Sequence, residues 1–275
     1  MIAPPVIGHF GARRLRSCLW NSHRLGSATP LLVFNGVGMN LEVLEPLAAS
    51  LSDRPVLTLD MPGVGESPEP KVPYSPQMAA SWGAQLLARH GIEEADVLGF
   101  SWGGAIAQQF AIQHPARVRR LAVAAIGPGL PILPGKATYH FHLLDPIWKG
   151  KYTDSRLLGA VSEADRQVIV DDLHKRMTLP TPGGYLYQLM ALSGWSSAMG
   201  LALLRRPTLI LVGSDDQIVP PINGRWLAAF VPGSELEVID GGGHLFMFSH
   251  HDQLVDRLRQ FLDPGEQVSK LAAAA

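Results

Sequence analysis

The sequence predicts an α/β fold, a mostly parallel, doubly wound sheet with a helical cap insertion. Three observations predict it. Short apolar runs alternate with patterns of helical period. The runs are short and end in or beside Gly, Asp or Pro, as expected where helices cover both faces of a sheet. One stretch of about 77 residues interrupts the alternation with helical pieces and no strand pattern, and a structureless loop of that length is improbable.

The first buried strand is read at Pro30 to Gly36 (PLLVFNG), and the second in RPVLTLDMPGVG, which starts at Arg54 and ends in a loop. ADVLGF (Ala95 to Phe100) and RLAVAAIG (Arg120 to Gly127) follow, then PTLILVG from Pro207 and ELEVID from Glu235. Helical patterns fall at Leu41 to Leu51, Met78 to His90, Trp102 to His114, Asn223 to Phe230 and Asp252 to Leu262. The insertion spans 128–204, with helical pieces at Ala164 to Arg176 and Leu186 to Leu192. The core is therefore expected at 1–127 and 205–266. Residues 267–275 form a tail whose SKLAAAA reads as a cloning scar.

The chain has 275 residues, 47% of them hydrophobic, enough for one large core. A net charge of -1 gives no electrostatic footprint for nucleic acid or an anionic membrane. The single cysteine, Cys18, excludes an intrachain disulfide and fits a reducing, cytoplasmic setting. No secretory signal is visible at the N-terminus, and no apolar run reaches the 18 residues of a membrane-spanning helix.

Gly99-Phe100-Ser101-Trp102-Gly103 is a G-x-S-x-G motif between a strand pattern and a helix pattern, the setting of a nucleophile elbow. A serine on so sharp a corner crowds the residues two before and two after it, and glycine removes their side chains. The hydroxyl then stands beside a helix N-terminus, whose unpaired N–H groups suit a developing oxyanion. Serine is a poor nucleophile until a base takes its proton. In a fold of this kind the partners follow in the order Ser, acid, His.

After the fifth strand come Asp215 and Asp216, and after the sixth comes Gly-Gly-Gly-His244. Both sites follow strand carboxyl ends, where open α/β sheets place their chemistry. Asp216 is the preferred acid, with Asp215 as the alternative that braces the turn. Of ten histidines only His244 has this placement. His114 reads as a helix cap, His140 and His142 flank Phe141 in the insertion, and His250 and His251 read as solvated helix-start residues. No cluster has metal-ligand spacing. The loop Asn35 to Asn40 is the candidate second side of the oxyanion hole, with the N–H groups of Val37 and Trp102 as donors. DMPGVGES, Asp60 to Ser67, lacks a third glycine and a following helix start, so it reads as a structural loop and not a dinucleotide site.

From Leu31 to Leu262 the chain resembles the α/β-hydrolases. More closely it is similar to the intracellular depolymerases of medium-chain-length polyhydroxyalkanoates. FNGVGMNLEVLEP carries this likeness, with Asn35 where most α/β-hydrolases have histidine, as do GFSWGGAIAQQFA, GGYLYQLMALSGWSSA, LVGSDDQIVPPIN and GGGHLFM. The resemblance implies Ser101 as nucleophile, Asp216 as acid and His244 as base, and no cofactor or metal. It implies an aliphatic polyester substrate and contact with a storage-granule surface. Asn35, Gly36 and Trp195 are assigned to substrate contact. The insertion's Phe141, Leu143, Leu144, Ile147, Trp148, Tyr185, Tyr187, Leu189 and Met190 are candidates for an acyl slot, most of them forming the cap's own core. The rivals are a small-molecule esterase, lactonase or thioesterase, and a hydrolase-like fold that only binds a ligand. The oligomeric state is left open.

Overall fold

The computed structural model describes residues 4–130, 133, 135, 155–202 and 204–264. Eight strands form one sheet: β1 (Val6–Phe10), β2 (Arg13–Trp20), β3 (Leu31–Phe34), β4 (Val56–Leu59), β5 (Ala95–Phe100), β6 (Val118–Ala124), β7 (Thr208–Gly213) and β8 (Glu235–Ile239). Their order is β1-β2-β4-β3-β5-β6-β7-β8. β2 runs antiparallel to both its neighbours, and every other pairing is parallel.

The apolar runs form strands because alternate residues bury on opposite faces. Leu32 and Phe34 join one core cluster with Trp82, Leu86, Ile106 and Phe110. Leu31 and Val33 join a second with Leu47, Phe246, Leu254 and Leu258. Helices α1 (Glu45–Ser50), α2 (Pro76–Arg89) and α3 (Trp102–Gln113) follow the strands as expected. The expected helix at Leu41 begins as a 3-10 turn, Leu41–Leu44, before α1.

The β1–β2 hairpin was not expected from the sequence. Three arginines in β2 break its apolar pattern, and Arg16 is nonetheless only 8% exposed. It is compensated by Glu42 and Asp60.

Between β6 and β7 the described residues contain a 3-10 turn (Ser155–Leu158) and helices α4 (Glu163–Arg176), α5 (Pro182–Ala191) and α6 (Ala198–Leu201). Ser162 caps α4 through the Asp165 N–H, and Thr181 caps α5 through the Gly184 N–H, with Pro182 at the first helical position. α7 (Pro221–Phe230), α8 (Phe246–Ser249) and α9 (His251–Leu262) complete the fold. α9 buries Leu254, Val255, Leu258, Phe261 and Leu262, one stripe at helical spacing. The expected tail at 267–275 lies outside the described residues, as do His140, Phe141, His142, Leu143, Leu144, Ile147 and Trp148.

Candidate active site

The loops after β5, β7 and β8 meet at the carboxyl edge of the sheet. Ser101 closes β5 and caps α3 with φ +48° and ψ −117°. Its N–H donates to the Ala124 carbonyl at 2.9 Å, which ties the corner to β6. The glycines are needed for close approach. A Cβ on Gly99 would stand 2.3 Å from the Gly103 carbonyl oxygen, and one on Gly103 would stand 2.1 Å from that of Phe34.

The loops after β7 and β8 are locked backbone to backbone. The N–H of Asp215 donates to the Gly242 carbonyl at 2.9 Å, and that of Ser214 to Ile239 at 2.9 Å. A Cβ on Gly213 would lie 2.2 Å from the Gly242 oxygen. The glycine run before His244 therefore lets two loops share one space.

This packing aligns three side chains. Ser101 Oγ lies 2.8 Å from His244 Nε2, and His244 Nδ1 lies 2.8 Å from Asp216 Oδ2. Asp216 Oδ1 accepts from the N–H groups of Ile218 and Val219, each at 2.8 Å. A carboxylate can only accept, so Nδ1–H donates to it and Nε2 is left to accept from the serine hydroxyl. Asp216 and His244 are buried, at 2% and 5% exposure, and Ser101 is half-buried. Of the two carboxylates, Asp215 is exposed and its side chain meets Ser214 instead.

The Trp102 N–H opens α3. Among the described residues no acceptor is hydrogen-bonded to it or to the N–H of Val37. The loop carrying Val37 is braced from within: Asn35 Nδ2 donates to the carbonyls of Met39 (3.3 Å) and Asn40 (3.0 Å), and Asn35 Oδ1 accepts from the Gly36 N–H at 2.9 Å. These bonds occupy the Asn35 amide inside the loop. Trp195, assigned to substrate contact from the sequence, is buried in the core cluster that also holds Trp102. Its indole N–H donates to Gln109 Oε1 at 3.0 Å. Gln109 lies eight residues past Ser101, about 12 Å along α3.

Sequence reasoning passed over two buried polar residues near this edge. Gln188 of α5 accepts from the Gly38 N–H at 2.7 Å. Asn40, fully buried, donates to the Arg176 carbonyl at 2.8 Å and accepts from the Thr178 N–H at 2.9 Å. A lone glutamine in the apolar pattern YLYQLMA is the signal that was available for the first. His250 and His251, expected to be solvated, are half-buried, and each meets a serine hydroxyl at 2.9 Å. The Asp60 to Ser67 loop folds on itself: Ser67 Oγ donates to the Asp60 carbonyl, and Asp60 Oδ1 accepts from the Leu41 N–H. The described residues hold no group of three or more His, Cys, Asp or Glu placed to bind a metal. No helix among them is long and apolar enough to cross a membrane.

Residues 31–257 match the alpha/beta hydrolase family. The chain belongs to the α/β-hydrolases. This hydrolase is 35% identical over 248 residues to the poly(3-hydroxyalkanoate) depolymerase of Ectopseudomonas oleovorans, covering 87% of this chain and 86% of that one. It is 29% identical over 264 residues to a 2-hydroxymuconate semialdehyde hydrolase of a Pseudomonas species, covering 88% and 89%. Among solved structures, the enol-lactonase of Burkholderia xenovorans superposes with a TM-score of 0.81 at 20% identity, over 94% of this chain and 99% of that one, a likeness of fold alone.

Proposed function

We propose that this hydrolase is a serine esterase that cleaves the ester bonds of aliphatic polyesters, with medium-chain-length polyhydroxyalkanoate as its substrate class. The observation that carries the reading is the unbroken hydrogen-bonded chain from Ser101 through His244 to Asp216. The 35% identity to a poly(3-hydroxyalkanoate) depolymerase over most of both chains supports the polyester.

His244 Nε2 takes the hydroxyl proton as Ser101 Oγ bonds to the ester carbonyl carbon. The carbonyl oxygen becomes an oxyanion, held by the N–H groups of Val37 and Trp102 at the positive end of α3. Collapse breaks the bond to the alkoxy oxygen, which leaves as an alcohol with the proton from His244. Water then attacks the acyl-enzyme, giving its proton to His244 and its oxygen to the acid product, and Ser101 recovers its proton. Asp216 holds the imidazole in the required tautomer and faces its charged form. Asn35 and Gly36 shape the oxyanion loop. Trp195 braces the cap against α3.

The substrate enters between the sheet edge and the insertion. Val168, Leu186, Met190 and Met199 are exposed on the insertion and offer apolar contacts suited to a granule surface within the cytoplasm. A second reading, a small-ester hydrolase, is supported by 28% identity over 261 residues to a pimeloyl-[acyl-carrier protein] methyl ester esterase of Chromobacterium violaceum. A fluorophosphonate probe tests the shared chemistry. One adduct per chain, mapped by mass spectrometry to Ser101 and lost in Ser101→Ala, is expected. Labelling elsewhere, or none, contradicts it.

A further inference from the structure

We propose that Gln188 is a positioning residue through which the cap sets the geometry of the oxyanion hole. This rests on the assignment of the Val37 and Trp102 N–H groups as oxyanion donors. Gln188 is 1% exposed and sits on α5, within the insertion. Two of its atoms reach the two sides of the hole. Its side-chain Oε1 accepts from the Gly38 N–H at 2.7 Å, one residue beyond Val37. Its main-chain carbonyl accepts from the Trp102 indole N–H at 2.7 Å.

Each bond has a local cause. Gln188 lies in the last turn of α5, where carbonyls lack an intrahelical donor, and the indole supplies one. In the oxyanion loop the Gly36 N–H is taken by Asn35, and the Met39 N–H by the Gly36 carbonyl. Among the described residues, the Gly38 N–H is the one N–H of residues 36–39 that bonds to the cap, and its acceptor is Gln188. The peptide plane that carries the Gly38 N–H directly follows Val37, so fixing it limits the swing of the preceding N–H. The indole bond does the same from the other side, through the residue whose main-chain N–H is the second donor.

One cap residue thus touches both sides of the hole. Oxyanion donors stabilise the transition state by being held in place before charge develops. Loosening Gln188 therefore lowers turnover and leaves ground-state binding of the ester little changed.

The experiment compares the wild-type protein with Gln188→Met, which keeps the length of the side chain and removes the acceptor, and with Trp102→Phe, which removes the indole donor. Active sites are counted by fluorophosphonate titration. kcat and KM are measured on a p-nitrophenyl ester, together with the affinity of a trifluoromethyl ketone that forms a tetrahedral adduct. The expected result for Q188M is a kcat per titrated site about tenfold lower or more, with KM within about twofold. Affinity for the ketone falls by the same factor as kcat/KM. W102F follows in the same direction with a smaller change, and it carries the test if Q188M does not fold. Unchanged ketone affinity in the folded variants overturns the proposal, whether turnover holds or falls, because a purely structural role removes active sites without weakening the adduct. A wild-type protein that takes up no fluorophosphonate and forms no ketone adduct overturns instead the serine-esterase reading beneath it.

Discussion

Ser101 holds a backbone conformation that costs an ordinary residue about 1–3 kcal/mol, and the Ala124 carbonyl and the α3 turn hold it there. Its reward is a hydroxyl 2.8 Å from the His244 imidazole. Replacing Ser101 or His244 with Ala is expected to lower kcat by about four to six orders of magnitude with little change in melting temperature. Steady-state kinetics and a thermal melt check both halves, and retention of a tenth of the activity contradicts the assignment. The aspartates separate in the same assay. Asp216→Asn puts an NH2 donor in place of one carboxylate oxygen, so the His244 Nδ1–H and the Ile218 and Val219 N–H groups cannot all keep an acceptor, and it is expected to cost about 10⁴-fold. Asp215→Asn, at an exposed position, is expected to cost less than about threefold. The opposite ranking moves the acid to Asp215. These residues were legible in the sequence because their roles demand fixed local chemistry: glycines around a corner, and strand ends before the acid and the base. Asn35 and Trp195 were assigned to substrate contact on residue type and position, and neither signals where its side-chain hydrogen bonds go.

The elements that hold the triad tolerate little. A methyl group on Gly103 collides with the Phe34 carbonyl, so Gly103→Ala is expected to cost about 1–3 kcal/mol or more. Urea unfolding measures this, and a cost under 1 kcal/mol contradicts the close approach of α3 to β3. Beneath the oxyanion loop, burial pushes the Asp60 carboxyl from 3.8 up to about 7, against the pull of Arg16 and the Leu41 N–H. The folded state therefore keeps a proton that the unfolded chain releases. The stability this group contributes is full below about pH 4 and is lost as the pH rises through about 7. The difference in stability between wild type and Asp60→Asn is expected to shift against the wild type over that range. Melting temperatures of both proteins across the range test it, and a constant difference contradicts the buried proton. All six expected strands fell near their places: five are buried and write continuous apolar runs, and the sixth, the edge strand β8, writes ELEVID. The β1–β2 hairpin was hidden because its buried Arg16 breaks the apolar pattern, and the partners that hold it, Glu42 and Asp60, are distant in the sequence. The helical pattern placed the start of α5 at Leu186, because Pro182, Gly183 and Gly184 are poor helix formers by type. There Pro182 opens the helix behind the Thr181 cap, and Gly184 packs against Gly63.

At the scale of the whole molecule, the triad stands on loops at the carboxyl edge of the sheet, and the proposed reading has the insertion select what reaches it. Asn40 and Gln188 bind the insertion to the oxyanion side of the core through hydrogen bonds, that of Gln188 buried. An apolar slot gains about 0.8 kcal/mol for each methylene it buries. On p-nitrophenyl esters, kcat/KM is expected to rise about three- to fourfold per methylene from C4 to about C8. A maximum at C2 marks a short slot and favours the small-ester reading. A substrate class was suggested only by the family likeness, because the insertion's apolar residues write a helical core and an acyl slot with the same pattern. The most direct measurement of the central claim is the release of 3-hydroxy acids from a suspension of medium-chain-length polyhydroxyalkanoate, followed by mass spectrometry. Steady release by the wild-type protein and none by Ser101→Ala is the expected result. No release by a wild-type protein that hydrolyses soluble esters contradicts the polyester assignment.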